Sequence, residues 1–121
     1  MVHGLDHVQL AMPRGEEATA RAFYAELLEL IEIPKPERLV HRGGVWFKLA
    51  DSREIHLGVE EPFNPAKKAH PAFVVEGLDR WAERLEEAGY PVQWDDLIPG
   101  RRRFYTADPF GNRLELLEFI P

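Results

Sequence analysis

The segment LDHVQLAM, residues 5–12, alternates, with Leu5, His7, Gln9 and Ala11 on one side and Asp6, Val8, Leu10 and Met12 on the other. That two-residue period predicts a strand. Pro13, Arg14 and Gly15 end it, and from Glu16 to Leu30 the residues Ala20, Phe23, Leu27, Leu28 and Ile31 recur near helical spacing. Glu16 and Glu17 fall at the end of the helix where the dipole favours negative charge. Ile33 to Val40 follows with Pro34 and Pro36 as breakers, then Gly43-Gly44, a strand Val45 to Leu49, a turn Ala50 to Arg53 and a strand Glu54 to Glu60. The first half therefore reads βαβββ.

EPFNPAKK, residues 61–68, reads as a connector, after which the same order returns. His70 to Val75 is strand-like, and Leu78 to Ala88 is a helix that buries Leu78, Trp81, Ala82 and Leu85. Gly89 stands where a helix end takes a left-handed residue. Val92 to Trp94, Arg103 to Ala107 and Arg113 to Phe119 complete a second βαβββ. Laying His7 on His70 superposes HVQLAM on HPAFVV and REIHLGVE on NRLELLEF, which pairs His56 with Glu115. Each half thus carries one metal-competent side chain on its first strand and one on its last, in a pseudo-twofold pattern that predicts their convergence.

The chain has 121 residues, 45% hydrophobic and 30% charged, the balance of one ordinary globular domain. Such a chain buries roughly two thirds of its unfolded surface and needs no disulfide or structural metal to fold, so a metal site here would be functional. With 15 Lys plus Arg against 21 Asp plus Glu, the net charge of −6 argues against a nucleic-acid partner. No apolar run reaches the ~18 residues of a membrane span, and Met1 to Leu10 has no basic segment followed by a hydrophobic one. The expectation is a soluble, unexported, cytoplasmic protein. The absence of cysteine excludes thiolate ligands and nucleophiles, fits a reducing compartment, and leaves five histidines as the main ligand or proton-carrying candidates.

His56 lies between Ile55 and Leu57, and Glu115 between Leu114 and Leu116, so each points away from the face its neighbours occupy. An imidazole or carboxylate on the inner face of a curved sheet needs a partner, because burying it unpaired costs several kcal/mol. A shared divalent cation would satisfy His7, His56, His70 and Glu115 together. His7, His70 and Glu115 form a 2-His-1-carboxylate set, which leaves coordination positions open, with His56 as a fourth ligand or a supporting base. His3 and His41 fall outside the repeat.

On LDHVQLAM (5–12), ATARAFYAELLEL (18–30), AHPAFVV (69–75) and above all DPFGNRLELLE (108–118), the chain resembles the vicinal oxygen chelate superfamily. That group includes glyoxalase I, fosfomycin-resistance enzymes, extradiol dioxygenases and bleomycin-resistance proteins. The resemblance implies an α+β fold of two tandem βαβββ modules, 1–60 and 69–121, forming a curled mixed sheet around a central cavity with helices outside. It implies a divalent metal (Zn, Ni, Mn, Fe or Co) at His7, His70 and Glu115, and a small-molecule substrate that chelates it through vicinal oxygens. At the fourth position glyoxalase I enzymes usually carry a carboxylate where this chain has His56. Extradiol dioxygenases generally need a chain about twice as long, and no potassium-loop segment typical of fosfomycin enzymes is present. The expected activity is a metal-dependent lyase or isomerase with Glu115 as its proton-transfer group, and the alternative is a metal-free, bleomycin-resistance-like binding module.

Trp46 and Phe47 occupy adjacent strand positions, so one should pack under the helix and the other, Trp46, line the cavity. Glu60 is assigned either to orienting a ligand or to solvent. Arg101 to Arg103 reads as a loop after Pro99-Gly100, with Arg103 placed to meet an anionic substrate. The resemblance implies a homodimer, in which the two modules either close a site within one chain or, the connector Glu61 to Lys68 being long enough for exchange, share each site between two chains.

Overall fold

The computed structural model describes all 121 residues and divides them into two compact units, Met1–Pro65 and Ala66–Pro121. In the first unit, β1 (His7–Met12) runs parallel to β4 (Glu54–Val59), which pairs antiparallel with β3 (Val45–Lys48), itself antiparallel to β2 (Ile31–Ile33). The second unit repeats this order: β5 (Ala72–Val74) lies parallel to β8 (Arg113–Phe119), followed by β7 (Arg101–Ala107) and β6 (Gln93–Asp95). The sheet orders β1-β4-β3-β2 and β5-β8-β7-β6 are one topology used twice, so the fold is α+β with two tandem βαβββ modules. No helix is long and apolar enough to cross a membrane.

In the first unit the alternation of β1 sends Leu10 and Met12 to a face shared with Val45, Phe47, Ile55 and Leu57, all buried. Ala20, Phe23, Tyr24 and Leu28 of the helical segment are buried with them, and the Tyr24 and Phe47 rings stack at 5.5 Å. Full burial of one such side chain contributes about 1.5–3 kcal/mol. The helix departs from the expected single α-helix: α1 covers only Glu17–Arg21 and continues as a π-helix, Ala22–Leu27. The Leu28 amide bonds the Phe23 carbonyl five residues back, at 2.9 Å. This wider winding turns both Phe23 and Tyr24 inward, where a 3.6-residue period selected Phe23 alone. It ends at Glu29 in the left-handed region (φ 63°), which releases Ile31 from the helix face into β2, where it is exposed.

Pro34 and Pro36 break the chain after Ile33, and Glu37–Arg42 then forms a 3₁₀ turn where sequence patterning offered only a breaker-rich stretch. Gly43 and Gly44 both have positive φ, and a Cβ at Gly44 would meet the Leu57 carbonyl oxygen at 2.2 Å, so this entry into β3 requires glycine.

In the second unit α2 (Leu78–Glu87) presents Leu78, Ala82 and Leu85 to the sheet face holding Phe73, Phe104, Leu114 and Leu116. Trp81 is half-buried rather than core, and Gly89 takes the expected left-handed φ of 90°. Arg101–Arg103 is the start of β7, not a loop. Each of its guanidiniums lies over an aromatic ring: Arg101 over Phe119, Arg102 over Trp94, and Arg103 over Tyr105. The DPFGN turn closes on Asp108, whose Oδ1 accepts the Phe110 and Asn112 amides at 2.9 Å each.

Candidate metal and substrate site

Sheet register repeats the sequence repeat residue by residue. His56 is opposite Gln9 on β1, two residues after His7, while Glu115 is opposite Ala72 on β5, two residues after His70. On its antiparallel side His56 faces Trp46, and Glu115 faces Tyr105. Each unit therefore places one pair of metal-competent groups on the sheet face away from its helix.

In the first unit the His56 ring is sandwiched, 3.7 Å from Trp46 at an interplanar angle of 3° and 4.2 Å from His7 at 14°. Phe47, its neighbour, is fully buried under the helix, so the two aromatics divide as their alternation predicts. His56 Nε2 lies 2.8 Å from Glu54 Oε1 and His7 Nδ1 lies 2.9 Å from Asp6 Oδ2. These contacts leave His7 Nε2 and His56 Nδ1 as the nitrogens open to a ligand.

In the second unit His70 lies before β5, which starts only at Ala72, rather than on the strand expected for it, and its Nδ1 lies 3.0 Å from the Lys68 carbonyl oxygen. A carbonyl only accepts, so Nδ1 donates its proton there and the other ring nitrogen is the one turned toward Glu115. That nitrogen, Nε2, lies 2.9 Å from Glu115 Oε1. Two acceptors this close need a cation between them, either a second ring proton or a metal ion, and an Nδ1–H held by a backbone carbonyl is the support that metal-bound imidazoles ordinarily have. By donor chemistry the residues fit a divalent metal. Neither unit gathers three such donors, and no group of three or more His, Asp or Glu placed to hold an ion occurs in the chain.

Arg103 occupies this face too. It is 8% exposed, and its Nη1 donates to Tyr105 Oη at 2.7 Å and to Glu115 Oε1 at 3.2 Å, while Nη2 donates to Asp95 Oδ1 at 2.9 Å. Burial opposes the charge, but the Glu115 and Asp95 carboxylates outweigh it and raise the guanidinium above its usual value. The Leu97 amide, and then Arg103, hold the Asp95 carboxyl below its ordinary range. Arg103 is thus a buried anchor of Glu115 rather than a free loop cation. Glu60 also finds a local use, accepting the Asn64 amide at 3.1 Å.

Sequence reasoning missed Glu54, Asp95 and Tyr105. The signal for Glu54 was available, since it stands two residues before His56 on the same strand face. Asp95 and Tyr105 reach the site through strand pairing between segments, which no local pattern encodes.

The Glyoxalase/Bleomycin resistance protein/Dioxygenase superfamily profile matches residues 4–116, and the chain belongs to that superfamily. A protein from Bacillus anthracis assigned to the glyoxalase family is similar at 52% identity and a TM-score of 0.94, over 99% of this chain and 98% of that one. The lactoylglutathione lyase of Agrobacterium tumefaciens shares the fold at 20% identity and a TM-score of 0.77, over 98% and 95% of the two chains. The genomically encoded fosfomycin resistance protein of Listeria monocytogenes does so at 22% and 0.75, over 99% and 96%. No functionally curated protein matches the chain at a significant level.

Proposed function

We propose that this protein is a metal-dependent enzyme of lyase or isomerase type, acting in the cytoplasm on a small molecule with two adjacent oxygens. His7, His56, His70 and Glu115 are its ligands for a divalent ion, Zn, Ni, Mn, Fe or Co. The reading rests on His70, whose Nδ1 is fixed by the Lys68 carbonyl while Nε2 faces the Glu115 carboxylate. A bound divalent ion would supply Lewis acidity toward the substrate oxygens. Glu115 takes the proton from the neighbouring carbon and returns it, and its Arg103 contact holds the carboxylate in place between transfers. Trp46 offers a flat apolar wall to the substrate. Each module holds two of the four ligands, and the protein is a homodimer.

Element analysis of protein grown with each candidate ion tests this reading. Near one metal per chain is expected, falling several-fold in His70→Ala. Substoichiometric metal under every condition, or undiminished metal in His70→Ala, overturns it in favour of the metal-free binding module. Sedimentation velocity at micromolar concentration tests assembly separately: a two-chain species is expected, and a lone one-chain species refutes the dimer.

A further inference from the structure

A cavity of about 230 Å³ opens on the first unit, lined in part by Gln9 and Trp46, the two strand partners of His56. Its walls include Gln9, Lys35, Arg42, Trp46 and Gly58, and no acidic side chain lines it. In a chain of net charge −6, two cations in one small cavity without a lining carboxylate are an unusual grouping. Lys35 Nζ donates to the Gly43 carbonyl, which uses one of its three protons. Burial lowers the Lys35 ammonium and the Arg42 charge acts in the same direction, while the Glu17 carboxylate, which accepts the Gly44 amide at 2.9 Å, opposes them only in part, so one carboxylate stands against two cations. Arg42 has no hydrogen-bond or ion-pair partner, and its charge is the surplus one.

Gln9 adds directed donors. A Cβ at Gly58 would lie 2.7 Å from Gln9 Nε2, so the glycine is what lets the carboxamide lie flat against the sheet. That carboxamide makes no hydrogen bond of its own in the structure. The indole of Trp46, which stacks on His56 by one face, shares the apolar wall of the cavity with Leu39, Leu57 and Val59. A single surplus positive charge, a planar guanidinium and a planar amide suit a planar monoanion better than a dianionic phosphate.

We propose that this cavity binds the carboxylate of a small organic acid, with Arg42 and Gln9 as its donors and Trp46 against its carbon skeleton. Combined with the function proposed above, on which this step rests, the substrate is an organic acid whose carboxylate lies on the His7 and His56 face of the sheet.

Amide chemical shifts of the full chain, titrated with benzoate, benzamide and inorganic phosphate before and after chelation, test the assignment. Benzoate should shift Gly43, Gly58 and the Trp46 indole and bind at least about tenfold more tightly than benzamide, since the donors favour a charged acceptor. Arg42→Gln should weaken benzoate about tenfold or more. Gly58→Ala should weaken it by displacing Gln9, whereas Lys48→Gln, outside the cavity, should leave it unchanged. Equal binding of benzamide, unaltered benzoate binding by Arg42→Gln, or tighter binding of phosphate overturns the proposal. Benzoate binding in a chain that takes up no metal would overturn the enzyme reading but not the cavity's assignment; full metal loading without benzoate binding would do the reverse.

Discussion

Glu115→Gln is expected to lower turnover of an α-oxo or vicinal-dioxygen substrate by about 10²–10⁴-fold while the protein retains measurable metal. A carboxamide keeps the shape and one acceptor oxygen of the carboxylate but cannot accept a proton from carbon. Glu115 is 5% exposed and shares Oε1 between His70 and Arg103, so its orientation is set by contacts that a Gln oxygen can partly keep. Arg103 also retains Asp95 at 2.9 Å, which limits the damage from losing one negative partner. His56→Gln should behave differently. That ring is clamped between His7 and Trp46 with Nε2 on Glu54, so its loss should lower metal affinity and be partly rescued by excess metal. The measurement is kcat alongside metal content for both variants. An unaffected Glu115→Gln enzyme with a dead, fully loaded His56→Gln enzyme would place the base in the first module.

The placement of these residues was partly legible in the sequence, and the reason is periodicity. A strand's alternation fixes which side chains share a face, so His7 with Gln9, and His56 opposite to Ile55 and Leu57, followed from spacing alone. The internal repeat then predicted that Glu115 occupies the position of His56, and the register through Gln9 and Ala72 matches that alignment. What spacing does not encode is pairing across strands. Arg101–Arg103 reads as a solvated run because three adjacent cations normally avoid burial, yet Arg102 meets Asp79 and Glu118, and Arg103 meets Asp95 and Glu115. Those partners lie on other elements, so a triple-Arg strand looks like a loop until its neighbours are known. The π-helix escaped for a related reason: Phe23 and Tyr24 are both apolar enough for the core, and choosing one by a 3.6-residue period drops the other.

Asn112→Ala should destabilise the protein by about 2–4 kcal/mol, a large loss for a side chain that contacts neither proposed ligand nor substrate. Asn112 is fully buried, and its amide spans the turn in two directions. Oδ1 accepts the Ala66 amide at 2.9 Å, and Nδ2 donates to Asp108 Oδ2 at 2.9 Å. The Arg113 amide donates to the Ala66 carbonyl at 2.8 Å, so Asn112 and Arg113 together fasten the start of the second unit to the turn before β8. Alanine removes the acceptor for a part-buried N–H and a donor to a carboxylate that is 3% exposed. Each such loss costs roughly 1–3 kcal/mol because water cannot easily replace the missing partner. Asn112→Asp separates the two contributions: it keeps an acceptor for Ala66 but sets a second carboxylate against Asp108, and should be at least as damaging as alanine. Urea unfolding followed by circular dichroism reads both. A change within about 0.5 kcal/mol for Asn112→Ala, the range of an ordinary surface substitution, would mean that the turn holds β8 without it. Because Glu115 lies only three residues beyond Asn112 on the strand this turn launches, a destabilised turn should also loosen the His70–Glu115 contact, visible as broadened His70 ring resonances before the fold is lost.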